Sequence, residues 1–233
     1  MQYTVHRALA MLKTTKARME REFADDNIQW VRVARGQEDS ISGVAVKEIQ
    51  RDIQAHYDRI TALVANYAKI KAAVVQSNAG VLPEADLRRV KVGSKSLTVA
   101  EIIELTDTIY GRAKKPGFKA KILAKMKADY TQAQRDFDDM QEKADEEVSQ
   151  YIRSLVGKKR DDEETDAGTK SLIEATSKML HEQKDPRLID PLKIADKIKT
   201  LENEIEDFRT EADAVLSEQN ALTTVEIDLT EVK

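Results

Sequence analysis

The stretch Asp190–Ala221 reads DPLKIADKIKTLENEIEDFRTEADAVLSEQNA, and its apolar residues decide the predicted fold. They follow one another at alternating intervals of four and three residues: Ile194, Ile198, Leu201, Ile205, Phe208, Ala212 and Val215. This heptad spacing keeps one stripe of a helix against a partner helix. Asp190 is a suitable N-cap and Pro191 suits the first helical position, so we predict a helix over 191–220.

A second stretch, 44–76, carries a similar heptad stripe. Its members are Ile49, Ile53, His56, Ile60, Leu63, Tyr67 and Ile70. Two long helices with the same repeat can bury each other's stripes, so we predict that they pair in one bundle or coiled coil. Such stripes also favour self-association, and we expect a homo-oligomer. The residues expected at interfaces are Ile198, Leu201, Ile205, Phe208, Ile53, Tyr57, Ile60 and Trp30.

Two further stretches predict strands. Residues 88–97 read as a hairpin, because Gly93 supplies the positive φ that a two-residue turn needs. An isolated hairpin is marginally stable, and the alternating, β-branched run 223–229 is the best candidate for a third strand. Thr98 and Glu101 then match a capping box that starts a short helix to about Ala113. The predicted fold class is therefore mainly α, a long-helix bundle with a small antiparallel sheet.

The remaining segments complete the predicted architecture. A first helix runs from Thr4 to about Ile28, with Trp30 near its end as a packing or interface residue, and 35–40 form a polar loop. A long helix over 118–156 has apolar spacings that average about 3.67 residues, which indicates packing without a left-handed supercoil. A shorter helix covers 169–183. We expect one domain from 1–113 with 190–233, and a helical arm or hairpin from 114–189.

Composition excludes several classes of site. The 233 residues include no Cys, which excludes disulfides, zinc thiolate sites and cysteine catalysis. The formal net charge of -4 is small for this length and by itself selects no partner. The sequence has no apolar run long enough to span a membrane, and its first residues are charged where a signal peptide would be apolar. We therefore expect a cytoplasmic protein without a membrane partner.

No motif for catalysis or for cofactor binding is visible. The three histidines, His6, His56 and His181, lack the spacings of zinc or di-iron sites, so we expect structural or solvent-facing roles. Phosphate-binding glycine loops, nucleophile elbows and kinase signatures are also missing from the sequence. The expectation is a protein that is not an enzyme and that uses no cofactor and no metal.

One regional charge asymmetry carries a hypothesis. The segment from Arg88 to Lys127 contains eleven basic and three acidic residues, whereas the segment from Asp129 to Asp166 contains thirteen acidic and six basic residues. The basic hairpin region could hold a phosphate-containing ligand between subunits, through Arg88, Arg89, Lys91, Lys95, Lys114 and Lys115. Alternatively, basic and acidic regions of neighbouring subunits could meet during assembly, or both could be solvated faces.

Three short stretches resemble a group of phage-encoded helical proteins. They are TVHRALAMLK at 4–13, VGSKSLTVAE at 92–101, and AVLSEQNA at 214–221 followed by a strand. None of them is a catalytic motif, and the group has no assigned activity. The resemblance implies a viral source, and hence the host cytoplasm or the virion as the location.

The leading functional hypothesis is a non-enzymatic phage protein that acts by binding. It would be a virion or assembly component, or an inhibitor of a host factor, so a host or virion protein is the expected partner. The alternative is a protein that binds and sequesters a phosphate-containing small molecule, such as a nucleotide, in the basic hairpin region.

Overall fold

A computed structural model describes residues 4–24, 28–78, 89–112, 115–156 and 167–222. Most of these residues are helical. The helices are α1 (Val5–Ala24), α2 (Val46–Asn78), α3 (Val99–Leu105), a π-helical turn (Thr106–Tyr110), α4 (Phe118–Val156), α5 (Ala167–Lys184) and α6 (Ile194–Leu222). The strands are β1 (Arg32–Arg35), β2 (Ser40–Ile41), β3 (Val44–Ala45), β4 (Arg89–Val92), β5 (Lys95–Thr98), β6 (Gly111–Arg112), β7 (Lys115–Pro116) and β8 (Pro186–Ile189). The predicted mainly α class with small antiparallel sheets is confirmed.

The start of α6 differs from the sequence prediction. Asp190 does cap the helix, but its Oδ2 accepts a hydrogen bond from the backbone N–H of Ile194, at 2.8 Å, so the helix begins at Ile194. Between them the chain makes a turn in which Lys193 adopts a positive φ of 52°. Pro191 therefore lies in this turn. The prediction that it is the first helical residue is wrong.

The hairpin and its capping box have the predicted form. β4 pairs with β5 antiparallel, with Val92 opposite Lys95, and Gly93 in the connecting turn has a φ of 58°. The Thr98 hydroxyl accepts from the Glu101 backbone N–H, while the Glu101 carboxylate accepts from the Thr98 N–H. α3 ends earlier than predicted and continues as the π-helical turn to Tyr110. The predicted third strand, 223–229, lies outside the described residues.

A second pairing, between β1 and β8, was not predicted. It joins Arg32 to Ile189 and Arg35 to Pro186, and β1 ends at Arg35, the first residue of the segment that we expected to be a loop. A small hairpin of β2 and β3 begins at Ser40, the last residue of that segment. Gly36 follows β1 and donates its backbone N–H to the Asp185 carbonyl at 2.7 Å. The predicted loop over 35–40 is present at 36–39, and its two end residues belong to β1 and β2.

The chain divides into two compact units. Unit 1 comprises 1–25, 59–124 and 198–233, and unit 2 comprises 26–58 and 125–197. The boundaries fall inside α2, α4 and α6. These boundaries differ from the predicted ones at 113/114 and 189/190, and that domain division stays a prediction.

Aromatic side chains organise the packing of unit 1. The ring of Phe118, at the start of α4, lies 6.5 Å from Phe23 of α1 and 5.4 Å from Tyr67 of α2. Tyr110 stacks on Phe208 of α6, with their ring centroids 3.7 Å apart. Aromatic contacts of this kind stabilise beyond the area that they bury. Within unit 1, these contacts join α1 and α2 to the start of α4, and they join α6 to the π-helical turn.

Unit 2 is built around Trp30, which is fully buried. Its indole Nε1–H donates to His56 Nδ1 on α2 at 2.9 Å, and its backbone N–H donates to Asp129 Oδ2 on α4 at 2.8 Å. The Lys125 ammonium lies 5.3 Å from the ring centroid. Trp30 therefore lies beyond the end of α1, where it joins the segment before β1 to α2 and α4.

The heptad stripes are largely inside the folded chain. Ile53 and Ile60 of α2 are buried, as are Ile205, Phe208 and Ala212 of α6. Within unit 2, the Lys197 ammonium of α6 lies 4.7 Å from the ring of Tyr57 of α2, which brings the two helices together there. Within unit 1, Phe208 instead faces Tyr110. Pairing along the whole length of both stripes stays a prediction.

Among the described helices, none combines the length and the apolar content needed to cross a bilayer.

The position of Gly36 yields a test of the β1–β8 region. Its φ of 36° disfavours a side chain, and an added Cβ would overlap the backbone carbonyl of Gln183. We expect Gly36→Ala to lower the free energy of unfolding by about 2 kcal/mol or more, measured by urea denaturation. The matched control is Gly43→Ala, where φ is also positive, at 82°, but no atom lies within 4 Å of the added Cβ. Equal losses in the two variants would contradict the close approach at Gly36.

The hydrogen bond between His56 and Trp30 yields a second test. His56→Leu replaces the imidazole with an apolar side chain and leaves the buried indole N–H without its acceptor, so we expect a loss of about 1–3 kcal/mol in the free energy of unfolding. Trp30 is the sole tryptophan, so its fluorescence reports the unfolding of unit 2 directly. His6→Leu, at an exposed position of α1, is the control and should change little. If His56→Leu left the free energy of unfolding unchanged, this hydrogen bond would be dispensable for stability.

Candidate functional site

The π-helical turn carries Tyr110 into a polar network of unit 1. The Tyr110 hydroxyl donates to Glu204 Oε1 of α6 at 3.3 Å and accepts from the Lys95 ammonium of β5 at 3.1 Å. The Lys119 ammonium pairs with the same Glu204 carboxylate and lies 4.7 Å from the Tyr110 ring centroid. Two lysines, one carboxylate and one phenol therefore satisfy one another at the end of the turn.

The network fixes the protonation state of Tyr110 and the position of α6. Burial raises the pKa of the Tyr110 phenol well above its ordinary value, and the nearby Glu204 carboxylate adds to that increase. The phenol therefore stays protonated and remains a donor to Glu204. Arg209 donates to the backbone carbonyls of Gly111 and Tyr110, at 2.7 and 2.8 Å. Because its members are paired with one another, this network is a structural device rather than an open ligand site.

A second group of lysines in unit 1 surrounds a cleft, which we call the lysine cleft. The cleft has a volume of about 180 Å³. It is lined by Lys16, Glu20, Tyr67, Asp107, Thr108, Lys115, Pro116, Phe118 and Lys121. Lys115 makes no ion pair among the residues that the structure describes, and the carboxylate of Asp107 is already paired with Arg112. The cleft thus combines aromatic rings with ammonium groups, a composition that suits a planar anionic ligand.

The structure separates the residues that were predicted to bind a phosphate-containing ligand. Lys115 lies in the lysine cleft, Lys95 lies in the Tyr110 network, and Lys91 is exposed on β4. The Arg89 guanidinium donates to the Ser96 carbonyl of the same hairpin, at 3.2 Å. Arg88 and Lys114 lie outside the described residues. Sequence reasoning grouped these side chains by proximity in the chain, and it did not include Lys16, which lies in α1.

The residues predicted for subunit contacts lie mostly inside the chain. Trp30, Ile53, Ile60, Ile205 and Phe208 are buried. The remaining three, Tyr57, Ile198 and Leu201, are partly exposed. A side chain that is buried in one chain has little surface left for a second chain. Contacts between copies through these eight residues stay a prediction.

Four large apolar side chains on α4 and α5 in unit 2 are exposed, and we call them together the hairpin surface. It consists of Tyr151, Leu155, Leu172 and Met179, whose exposed fractions range from 46% to 62%. On α4 the apolar stripe is buried at Ala144 and Val148 and becomes exposed at Tyr151. On α5, Leu180 is buried whereas Met179 is exposed. Among the described residues, nothing covers this continuation of the stripe.

An acidic groove runs along another face of α4. It is lined by Asp138, Gln141, Glu142, Asp145, Glu146, Ser149, Gln150 and Arg153. Nearby, the Lys184 ammonium of α5 pairs with Glu147 of α4 at 2.6 Å, and this hydrogen bond and charge hold the pKa of Glu147 below its ordinary value. Three side chains bring potential metal-ligand atoms within 4.8 Å of one another. They are Asp145 of α4, His181 near the end of α5, and Asp185, which directly follows α5.

Comparisons of the chain with protein-family models, with curated proteins and with solved structures found no match.

Proposed function

We propose that this chain is a non-enzymatic phage protein that acts by binding, as a virion or assembly component or as an inhibitor of a host factor, in the virion or the host cytoplasm. The observation that carries the binding role is the hairpin surface. Leu172 and Leu155 are 62% and 51% exposed, on two helices joined by the Glu147–Lys184 ion pair. Large apolar side chains that stay exposed on neighbouring helices are a feature of protein interaction sites.

The partner that we propose for the hairpin surface is a second copy of this chain. The acidic groove lies on the same helix as Tyr151 and Leu155, while exposed lysines such as Lys91 and Lys115 are presented by the strands of unit 1. Opposite charges on two different surfaces of one molecule favour a contact in which the acidic surface of one copy meets the basic surface of the next. Such a head-to-tail contact builds rings or filaments, which suits an assembly component.

A second candidate function is the binding of a phosphate-containing small molecule in the lysine cleft. The observation that favours it is the presence of Lys16, Lys115 and Lys121 beside the rings of Tyr67 and Phe118. The rings offer a surface for a nucleobase, and the ammonium groups offer charge for phosphate. This site is narrower than the basic region that the sequence indicated, and it includes Lys115 of that region.

The first proposal predicts that self-association depends on the hairpin surface. We expect wild-type protein to exceed the mass of one chain in light scattering, and the double variant Leu155→Asp with Leu172→Asp to raise the dissociation constant at least about tenfold, because charge would be buried in the contact. Both positions are exposed, so the circular dichroism spectrum should not change.

The matched control for this experiment introduces the same charges at polar, exposed positions of the same helices. Thr131→Asp with Ser171→Asp should leave the mass unchanged. A wild-type mass of one chain at all concentrations would contradict self-association, and equal behaviour of the two double variants would place the contact elsewhere.

The second candidate predicts a ligand-dependent thermal shift. Cyclic and linear nucleotides should raise the melting temperature of wild-type protein, and Lys115→Glu with Lys121→Glu should abolish the increase because the charge that holds phosphate is reversed. Lys91→Glu with Lys127→Glu changes the net charge equally at exposed positions outside the cleft and should retain the shift. A shift with inorganic phosphate alone would indicate a site for phosphate without a nucleobase. No shift with any of these compounds would refute this function.

A further inference from the structure

We propose that Asp145, His181 and Asp185 form a binding site for a divalent first-row transition-metal ion, with Zn²⁺ as the representative. His181 and Asp185 are four residues apart at the end of α5, and Asp145 comes from α4. The His181 Nδ1 lies 2.8 Å from Asp185 Oδ1 and 3.8 Å from Asp145 Oδ1. We call this group the α4–α5 cluster.

The distances in the cluster suit a shared ion. Two ligand atoms that each lie about 2.1 Å from a metal are separated by about 3.0 Å at a right angle and about 3.4 Å at a tetrahedral angle. The two His181 distances fall on either side of this range. Small side-chain rotations are therefore enough to place the imidazole nitrogen and both carboxylate oxygens around one ion.

The surroundings hold the ligands in place. The Gln141 side-chain amide donates to Asp145 Oδ1 at 2.9 Å and to Asp185 Oδ1 at 3.2 Å. Hydrogen bonds of this kind orient metal-binding carboxylates and are common around metal ligands. The backbone N–H of Asp185 donates to the His181 carbonyl at 2.8 Å, which keeps both residues on one helical turn. Hydrogen bonds thus hold both carboxylates and the turn from His181 to Asp185 before an ion binds.

The donor set selects the class of ion. One imidazole nitrogen with two carboxylates suits Zn²⁺, Mn²⁺, Co²⁺ or Ni²⁺, whereas Mg²⁺ and Ca²⁺ prefer sites built only from oxygen. Two carboxylates neutralise the ion's charge, and the partly exposed position leaves room for water as a further ligand. The acidic groove contains four carboxylates, one of which is Asp145, and one arginine, and its net negative charge attracts cations to this end of the cluster.

Metal binding changes the tautomer of His181. In the absence of metal, the short contact between His181 Nδ1 and Asp185 is a hydrogen bond, so one proton lies between them. The metal takes the place of this proton at Nδ1, and the neutral imidazole carries its proton on Nε2 instead, while both carboxylates stay ionised. The ion then joins α5 to α4 beside the Glu147–Lys184 ion pair. Because it binds the folded chain, it should also stabilise unit 2.

The test is calorimetric titration of the chelator-treated full-length chain with Zn²⁺ near neutral pH. We expect one site per chain, and at least about tenfold weaker binding in His181→Ala and in Asp145→Asn, each of which removes one ligand. Two controls retain the cluster: His6→Ala removes an exposed histidine of α1, and Asp139→Asn removes an exposed carboxylate of α4 that does not line the groove. Both should bind as the wild type does.

A spectroscopic measurement separates the site from non-specific attraction and from misfolding. Co²⁺ bound to the cluster should produce visible absorption bands that His181→Ala abolishes, while circular dichroism shows that the variant keeps its helices. Binding of Zn²⁺ that is unchanged in His181→Ala, or equal binding of Mg²⁺, would show that the groove attracts cations without a built site. Either result, or no binding of Zn²⁺ at all, would overturn the proposal.

Discussion

The fold of unit 2 depends on how the two N–H groups of one buried tryptophan are satisfied. A buried polar group without a hydrogen-bond partner costs as much free energy of folding as several favourable contacts provide. Trp30 meets this requirement only where its indole reaches His56 on α2 and its backbone reaches Asp129 on α4. The short chain segment that leads into β1 is thereby fixed against two helices. β1 then has the position from which it can pair with β8, and β8 leads to the Asp190 cap of α6.

The elements that were predicted correctly are those with local causes. Apolar spacing defined the long helices, Gly93 defined the turn of the hairpin, and Thr98 with Glu101 defined the start of α3. The β1–β8 pairing has no such local cause. Each strand has four residues, one begins with Pro186, and their partners lie about 150 residues away in sequence. Periodicity shows which face of a segment is buried, but it does not show which distant segment covers it.

The same limit explains the partial prediction of the candidate site. Arg89, Lys91 and Lys95 are close in sequence, but a hairpin directs neighbouring side chains to different surroundings, so Arg89 contacts Ser96 while Lys95 contacts Tyr110. The lysine cleft needs α1, α2 and α4 as well as the π-helical turn, and no spacing rule connects them. His181 is a similar case: its partner Asp185 follows a helical spacing, but Asp145 belongs to the preceding helix. The sequence therefore showed which residues are charged, and only the fold showed which of these side chains lie close together.

α4 combines three properties that depend on one another. Its apolar stripe passes from buried at Val148 to exposed at Leu155, its acidic groove lies on another face, and Asp145 directs a carboxylate towards α5. The placement of α5 against α4 sets how Leu172 and Leu155 are presented to a partner. The Glu147–Lys184 pair joins the two helices through partly exposed charges, which contribute little when water competes. An ion held by Asp145 and His181 would fix the same two helices through coordinate bonds, and a partner would then meet a preformed surface and lose less conformational entropy on binding.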